Sequence, residues 1–113
     1  MNRLLVFASG VLVLTGGPAC AANTQFWNLT KDKIVSLQIS PAGKANWGQN
    51  QTDNDPDHSV DPDERLKITG TPAGTYDVRF TDARGRTCTV ANVVIDSGKI
   101  FSIDEAQLSK CSK

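Results

Sequence analysis

Histidine occurs once in these 113 residues, methionine once and cysteine three times. The lone His58 leaves one obvious general base. No Cys-x-x-Cys pair occurs, so a thioredoxin-type redox motif is not expected. No glycine-rich phosphate cradle is found, and no serine or cysteine sits in a recognisable nucleophile motif. The apolar run Leu4–Leu14 is short of the ~18–20 residues that cross a bilayer. Formal net charge is +0, which offers no attraction to nucleic acid or anionic lipid. Outside the N-terminal run no stretch has a helical period of useful length.

What is present begins with a leader. Met1-Asn2-Arg3 places a positive charge ahead of the apolar run. Thr15-Gly16-Gly17-Pro18 then breaks it, and Ala19-Cys20-Ala21-Ala22 supplies small residues for cleavage. This is the layout of a secretory signal peptide, residues 1–21, with a single exported domain in 22–113. The expected location is periplasmic or secreted. Two other readings are a retained anchor helix, which the run's length disfavours, and a lipoprotein acylated at Cys20. Losing Arg3 with the leader leaves 11 Lys+Arg against 12 Asp+Glu. Six of those acids fall between Asp53 and Glu64, a stretch without Lys or Arg.

Export leaves Cys88 and Cys111, an even number in a disulfide-permitting compartment. A bridge between them stabilises by ~3 kcal/mol in the chain-entropy model. It would tie the C-terminal tail to the strand holding Cys88. The alternative is two free thiols or a redox pair.

Short strands are read along the mature chain. Phe26–Thr30 is aromatic and β-prone. Val35, Leu37 and Ile39 alternate with Ser36, Gln38 and Ser40, and Pro41-Ala42-Gly43 ends that strand. Lys44 to about Asp63 reads as a long loop, functional or disordered by its length, with Trp47 as its anchor. Leu66 and Ile68 mark a short strand. Tyr76, Val78 and Phe80 face one side and Asp77, Arg79 and Thr81 the other. Asp82-Ala83-Arg84-Gly85-Arg86 is a hairpin connection. Cys88 and Val90 are out of phase with Val93 and Ile95, which implies a β-bulge near Ala91-Asn92. Phe101 and Ile103 mark a last strand, followed by a short helical turn ending near Cys111. The expected fold is all-β, a small antiparallel β-sandwich of about six strands, with an open barrel as the alternative.

Residues 53–64 read Asp-Asn-Asp-Pro-Asp-His-Ser-Val-Asp-Pro-Asp-Glu. They match the register of a twelve-residue EF-hand calcium loop. Asp53, Asp55 and Asp57 fall at positions 1, 3 and 5, and Ser59 at 7 for its carbonyl. Asp61 falls at 9 and the bidentate acid, Glu64, at 12. A hard cation needs six to eight oxygens, and alternating carboxylates can wrap one. Against this, position 6 needs positive φ, and His58 stands where glycine should. Pro56 and Pro62 stiffen the segment, and its flanks are not helical. The other readings are a solvated acidic loop lying against Arg65, Arg84 or Arg86, or an acidic surface that docks a basic partner.

Other features have a plain structural reading beside a functional one. Trp27 and Trp47 suit packing or loop anchoring better than a binding platform. Arg84 and Arg86 flank Gly85 and could grip an anion. Asn28-Leu29-Thr30 fits a glycosylation sequon. The acidic loop's carboxylates lack the apolar surroundings that raise a pKa for acid–base work.

Ile39-Ser40-Pro41-Ala42-Gly43, Trp47-Gly48, Asp55-Pro56-Asp57, Asp63-Glu64-Arg65-Leu66, Gly74-Thr75-Tyr76-Asp77-Val78-Arg79 and Gly85-Arg86-Thr87-Cys88 together resemble a group of small exported proteobacterial proteins. The resemblance spans Phe26 to Cys111. It implies one exported β-rich domain and supplies no catalytic residues. The expectation is a non-enzymatic binding domain, taking Ca2+ weakly through 53–64 or meeting a protein partner of the cell envelope, with no nucleic acid and no membrane span in the mature chain.

Overall fold

The computed structural model describes residues 23–112. The expected leader and Cys20 lie outside them. Seven strands form: β1 (Gln25–Leu29), β2 (Ile34–Pro41), β3 (Arg65–Lys67), β4 (Gly74–Asp82), β5 (Thr87–Ile95), β6 (Ile100–Asp104) and β7 (Cys111–Ser112). Two 3-10 helices, Gln51–Asn54 and Glu105–Lys110, complete the described elements. One sheet has the order β3-β1-β6 and the other β2-β4-β5-β7.

Period-two patterning places the core. Leu37 and Ile39 on β2, Val78 and Phe80 on β4, and Cys88 and Val90 on β5 are buried. They share one apolar cluster with Phe26, Leu66, Phe101 and Ile103 of the other sheet. The expected bulge is present. Tyr76 pairs with Val93 and Val78 with Val90, so Asp77 alone faces Ala91 and Asn92. Asn92 takes φ +59°, and its N–H donates to Asp77 Oδ1 at 3.2 Å. A second register shift, between Ile34 and Ser36, corrects the reading of β2. It puts Ile34 inside and leaves Val35 exposed.

The antiparallel expectation holds for β2-β4-β5-β7 but not throughout. β1 runs parallel to β6, pairing Phe26 with Phe101 and Asn28 with Ile103. The reason is connectivity. β1, β3 and β6 are separated in sequence by strands of the other sheet, so no hairpin dictates their direction. β6 is also not the last strand, because two-residue β7 follows the C-terminal 3-10 helix. That helix opens with a capping box: the Asp104 carboxylate and the Gln107 amide oxygen each accept a backbone N–H. Cys88 and Cys111 are register partners in β5 and β7, and a disulfide joins them.

The 44–63 segment is not free, and Trp47 is not its main anchor. Val60 forms an isolated bridge with Ile34, exchanging N–H···O bonds of 2.9 and 2.8 Å. Val60, Gln51 and Thr52 are buried, whereas Trp47 is only partly so, with the Arg79 guanidinium 4.3 Å over its ring. The Asn50 side chain accepts from the Leu37 N–H at 2.9 Å, and Gly48 donates to the Ile39 carbonyl at 3.1 Å. Gln51 donates to the Thr69 carbonyl at 2.9 Å, and Asn54 to that of Lys67 at 2.8 Å. The segment therefore covers the edge of β2 and fastens it to β3, one way a protein shields an open sheet edge.

Candidate functional site

The acidic stretch 53–64 is built as two turns divided by a buried pair. Asn50 caps the 3-10 helix, its Oδ1 accepting from the Thr52 N–H at 3.1 Å. Asp53 lies in the first helical turn. Asp55 ends that helix, and its Oδ2 accepts from the Asp57 N–H at 2.8 Å. The His58 N–H then closes a turn on the Asp55 carbonyl at 2.9 Å. His58 takes φ +56°, the conformation a calcium loop demands at this position, and its Nδ1 lies 3.2 Å from Asp53 Oδ1.

Ser59 and Val60 turn inward and are buried. The second turn runs Asp61–Glu64. Its ends meet through Asp61 N–H to Glu64 Oε1 at 2.7 Å and Glu64 N–H to the Asp61 carbonyl at 3.0 Å. Asp63 takes φ +69° and accepts the Trp27 indole N–H on its carboxylate at 3.1 Å. Lys33 Nζ stands 3.9 Å from Asp61.

The six expected ligands are thus split. Asp53, Asp55 and Asp57 belong to the first turn, Asp61 and Glu64 to the second, and Ser59 sits between them. Among the described residues no three His, Cys, Asp or Glu side chains are placed to hold a metal ion. Asp55 and Glu64 instead satisfy backbone N–H groups, the usual work of carboxylates in turns.

The arginines do not lie against this segment as expected. Arg65 stacks on Trp27 at 4.5 Å. Arg86 donates through Nε to Asp82 and through Nη2 to Asp32, both at 2.8 Å, and Arg84 Nε lies 3.3 Å from Asp32. Both hairpin guanidiniums are therefore engaged by carboxylates, which removes the anion grip around Gly85. Asp82, 2% exposed, also accepts the Arg84 and Arg86 N–H groups at 3.0 Å each. Its position two residues after Phe80 is the signal that it points inward.

Asn28 was the least legible of these residues. It is fully buried and in phase with Phe26. Its amide nitrogen donates to the carbonyls of Asp32 and Val60 at 3.0 and 2.9 Å. Its oxygen accepts from the Thr30 N–H and hydroxyl at 3.0 and 2.7 Å. The sequon asparagine is consequently closed to modification in the folded protein. It joins the β1–β2 turn to the divide between the two acidic turns.

No pocket opens among the described residues. No helix there is long and apolar enough to cross a membrane, and the disulfide is compatible with an oxidising, extracytoplasmic location. Comparison with family models, curated proteins and solved structures found no match.

Proposed function

We propose that this is an exported, non-enzymatic β-sandwich domain that presents its acidic segment to a cationic partner. The observation that carries this reading is the fixation of that segment. Val60 holds its middle to β2, and the Asp63 N–H donates to the Asn28 carbonyl at 2.7 Å. Asp61 remains exposed between these holds, and Asp53 and Asp57 remain exposed ahead of Val60, where the Asn54 side chain ties the segment to the Lys67 carbonyl. Among the described residues the lysine that pairs with the segment is Lys33, and the His58 imidazole lies against Asp53, so most of the segment's charge is uncompensated. Charge held on a fixed scaffold steers an oppositely charged partner and sets its register. The leader and the bridge support export.

The test is titration of residues 22–113 with a labelled oligolysine peptide, beside the variant carrying Asp53→Asn, Asp57→Asn and Asp61→Asn. The reading expects about tenfold weaker binding by the variant, ~1.4 kcal/mol, and loss of binding at high salt, where screening is strong. Equal binding by both proteins contradicts it.

Weak calcium binding is the second reading, and the positive φ of His58 favours it. Calorimetry with millimolar Ca2+ distinguishes the two. Heat and a raised Tm support calcium; their absence, with peptide binding retained, supports the docking surface.

A further inference from the structure

We propose that the C-terminal tail, Glu105–Ser112, is a strap over the β5 edge that a dithiol releases while the body stays folded. The strap has few holds. β7 pairs with β5 at Thr87 and Cys88, and the disulfide joins that same register pair. The 3-10 helix before it has no buried residue. Leu108 and Cys111 are only partly buried against the core. At the near end, Glu105 Oε2 accepts from the Lys31 N–H at 2.6 Å. A two-residue strand pair is marginal by itself, so the covalent bond is what keeps the far end on β5.

The two sulfurs differ in access. Cys88 is fully buried, and Cys111 is partly exposed. A thiolate of a dithiol therefore attacks Cys111 Sγ. The Cys111–Cys88 bond breaks, and Cys88 leaves with the electron pair and takes up a proton. The second thiol of the reductant then attacks the mixed disulfide and releases Cys111, which is protonated in turn. The dithiol ends as a disulfide and the protein gains two thiols; two electrons and two protons have moved.

Release changes what β5 presents. Among the described strands Thr89–Ile95 pairs with β4, and release of the strap takes β7 away from the β5 end that it covers. This nine-residue strand has no charge and no proline, and Val94 is 65% exposed. The core does not lose a strand, because the large fully buried side chains run from Phe26 to Ile103 and so lie ahead of the tail.

The experiment is amide hydrogen exchange on residues 22–113, oxidised and after treatment with dithiothreitol under native conditions, with thiol counting to confirm reduction. Exchange over residues 107–112 is expected to rise at least about tenfold, while Val78 and Phe80 stay within about twofold. Cys111→Ser without reductant should give the same pattern, and it leaves Cys88 in place as a buried thiol. Unchanged protection of 107–112 after reduction overturns the proposal. So does loss of protection at Val78 and Phe80, which would make the bridge a staple of the whole fold. A disulfide that dithiothreitol leaves intact under native conditions overturns it as well.

Discussion

Single polar side chains join segments of this protein that are far apart in sequence. Asn28 makes four hydrogen bonds to three residues, Thr30, Asp32 and Val60, from within β1. Replacing it with alanine removes all four bonds: the Val60 and Asp32 carbonyls lose one donor each, keeping those from the Ile34 N–H and the Thr30 hydroxyl, and Thr30 loses the acceptor that fixes it. Asn28→Ala should therefore cost about 2–4 kcal/mol, several times one net hydrogen bond, measured as a fall in the urea midpoint. His58 shows the same point for the backbone. It is exposed, where most substitutions stay within about 0.5 kcal/mol, yet it takes positive φ. His58→Val should cost about 1–2 kcal/mol, since a β-branched residue is a genuine outlier there. His58→Gly should stay within about 0.5 kcal/mol. Thermal melts of both variants check this, and equal behaviour would deny the left-handed turn. The acidic register was visible in the sequence. The burial of Ser59 and Val60 that divides it was not, because one apolar residue in a polar run does not announce its partner.

Elements were legible where the information is local. Alternation in β4 and its phase break in β5 foretold the strand and the bulge at Ala91-Asn92. The β2 shift escaped because Ile34 and Val35 are both β-branched and apolar, so either suits the inward position. Strand direction in β3-β1-β6 escaped for a different reason: those strands meet only through distant connections. The β4–β5 hairpin depends on Asp82 as well as on Gly85, which takes φ +83°. Its carboxylate accepts from two backbone N–H groups and from Arg86. Asp82→Ala leaves a guanidinium that is 23% exposed with one carboxylate fewer, and two N–H groups without their acceptor. A loss of about 3 kcal/mol is expected, within the range for breaking a buried ion pair by removing one partner. Retention of wild-type stability would show that Asp32 alone suffices.

At the scale of the molecule, the two sheets share one core, and their open sides are closed by different devices. On the β2 and β3 side the polar 44–63 segment is bonded along the edge by Gly48, Asn50, Gln51, Asn54 and Val60. On the β5 side a short tail is held by a disulfide. The bridge was foreseeable from the cysteine count and the expected leader. The edge cover was not, since its residues (Asn, Gln, Thr and Gly) are those of any solvated loop, and what distinguishes them is the strand backbone they face. The acidic turns inherit their fixed position from this cover, and the docking reading depends on that inheritance.

Amide exchange at Val60, followed by NMR on the folded domain, tests this most directly. A segment built into the sheet edge predicts protection of Val60 comparable with Val78 and Phe80, opening only with global unfolding. Exchange of Val60 at the rate of an unstructured peptide, with Val78 and Phe80 still protected, would contradict it.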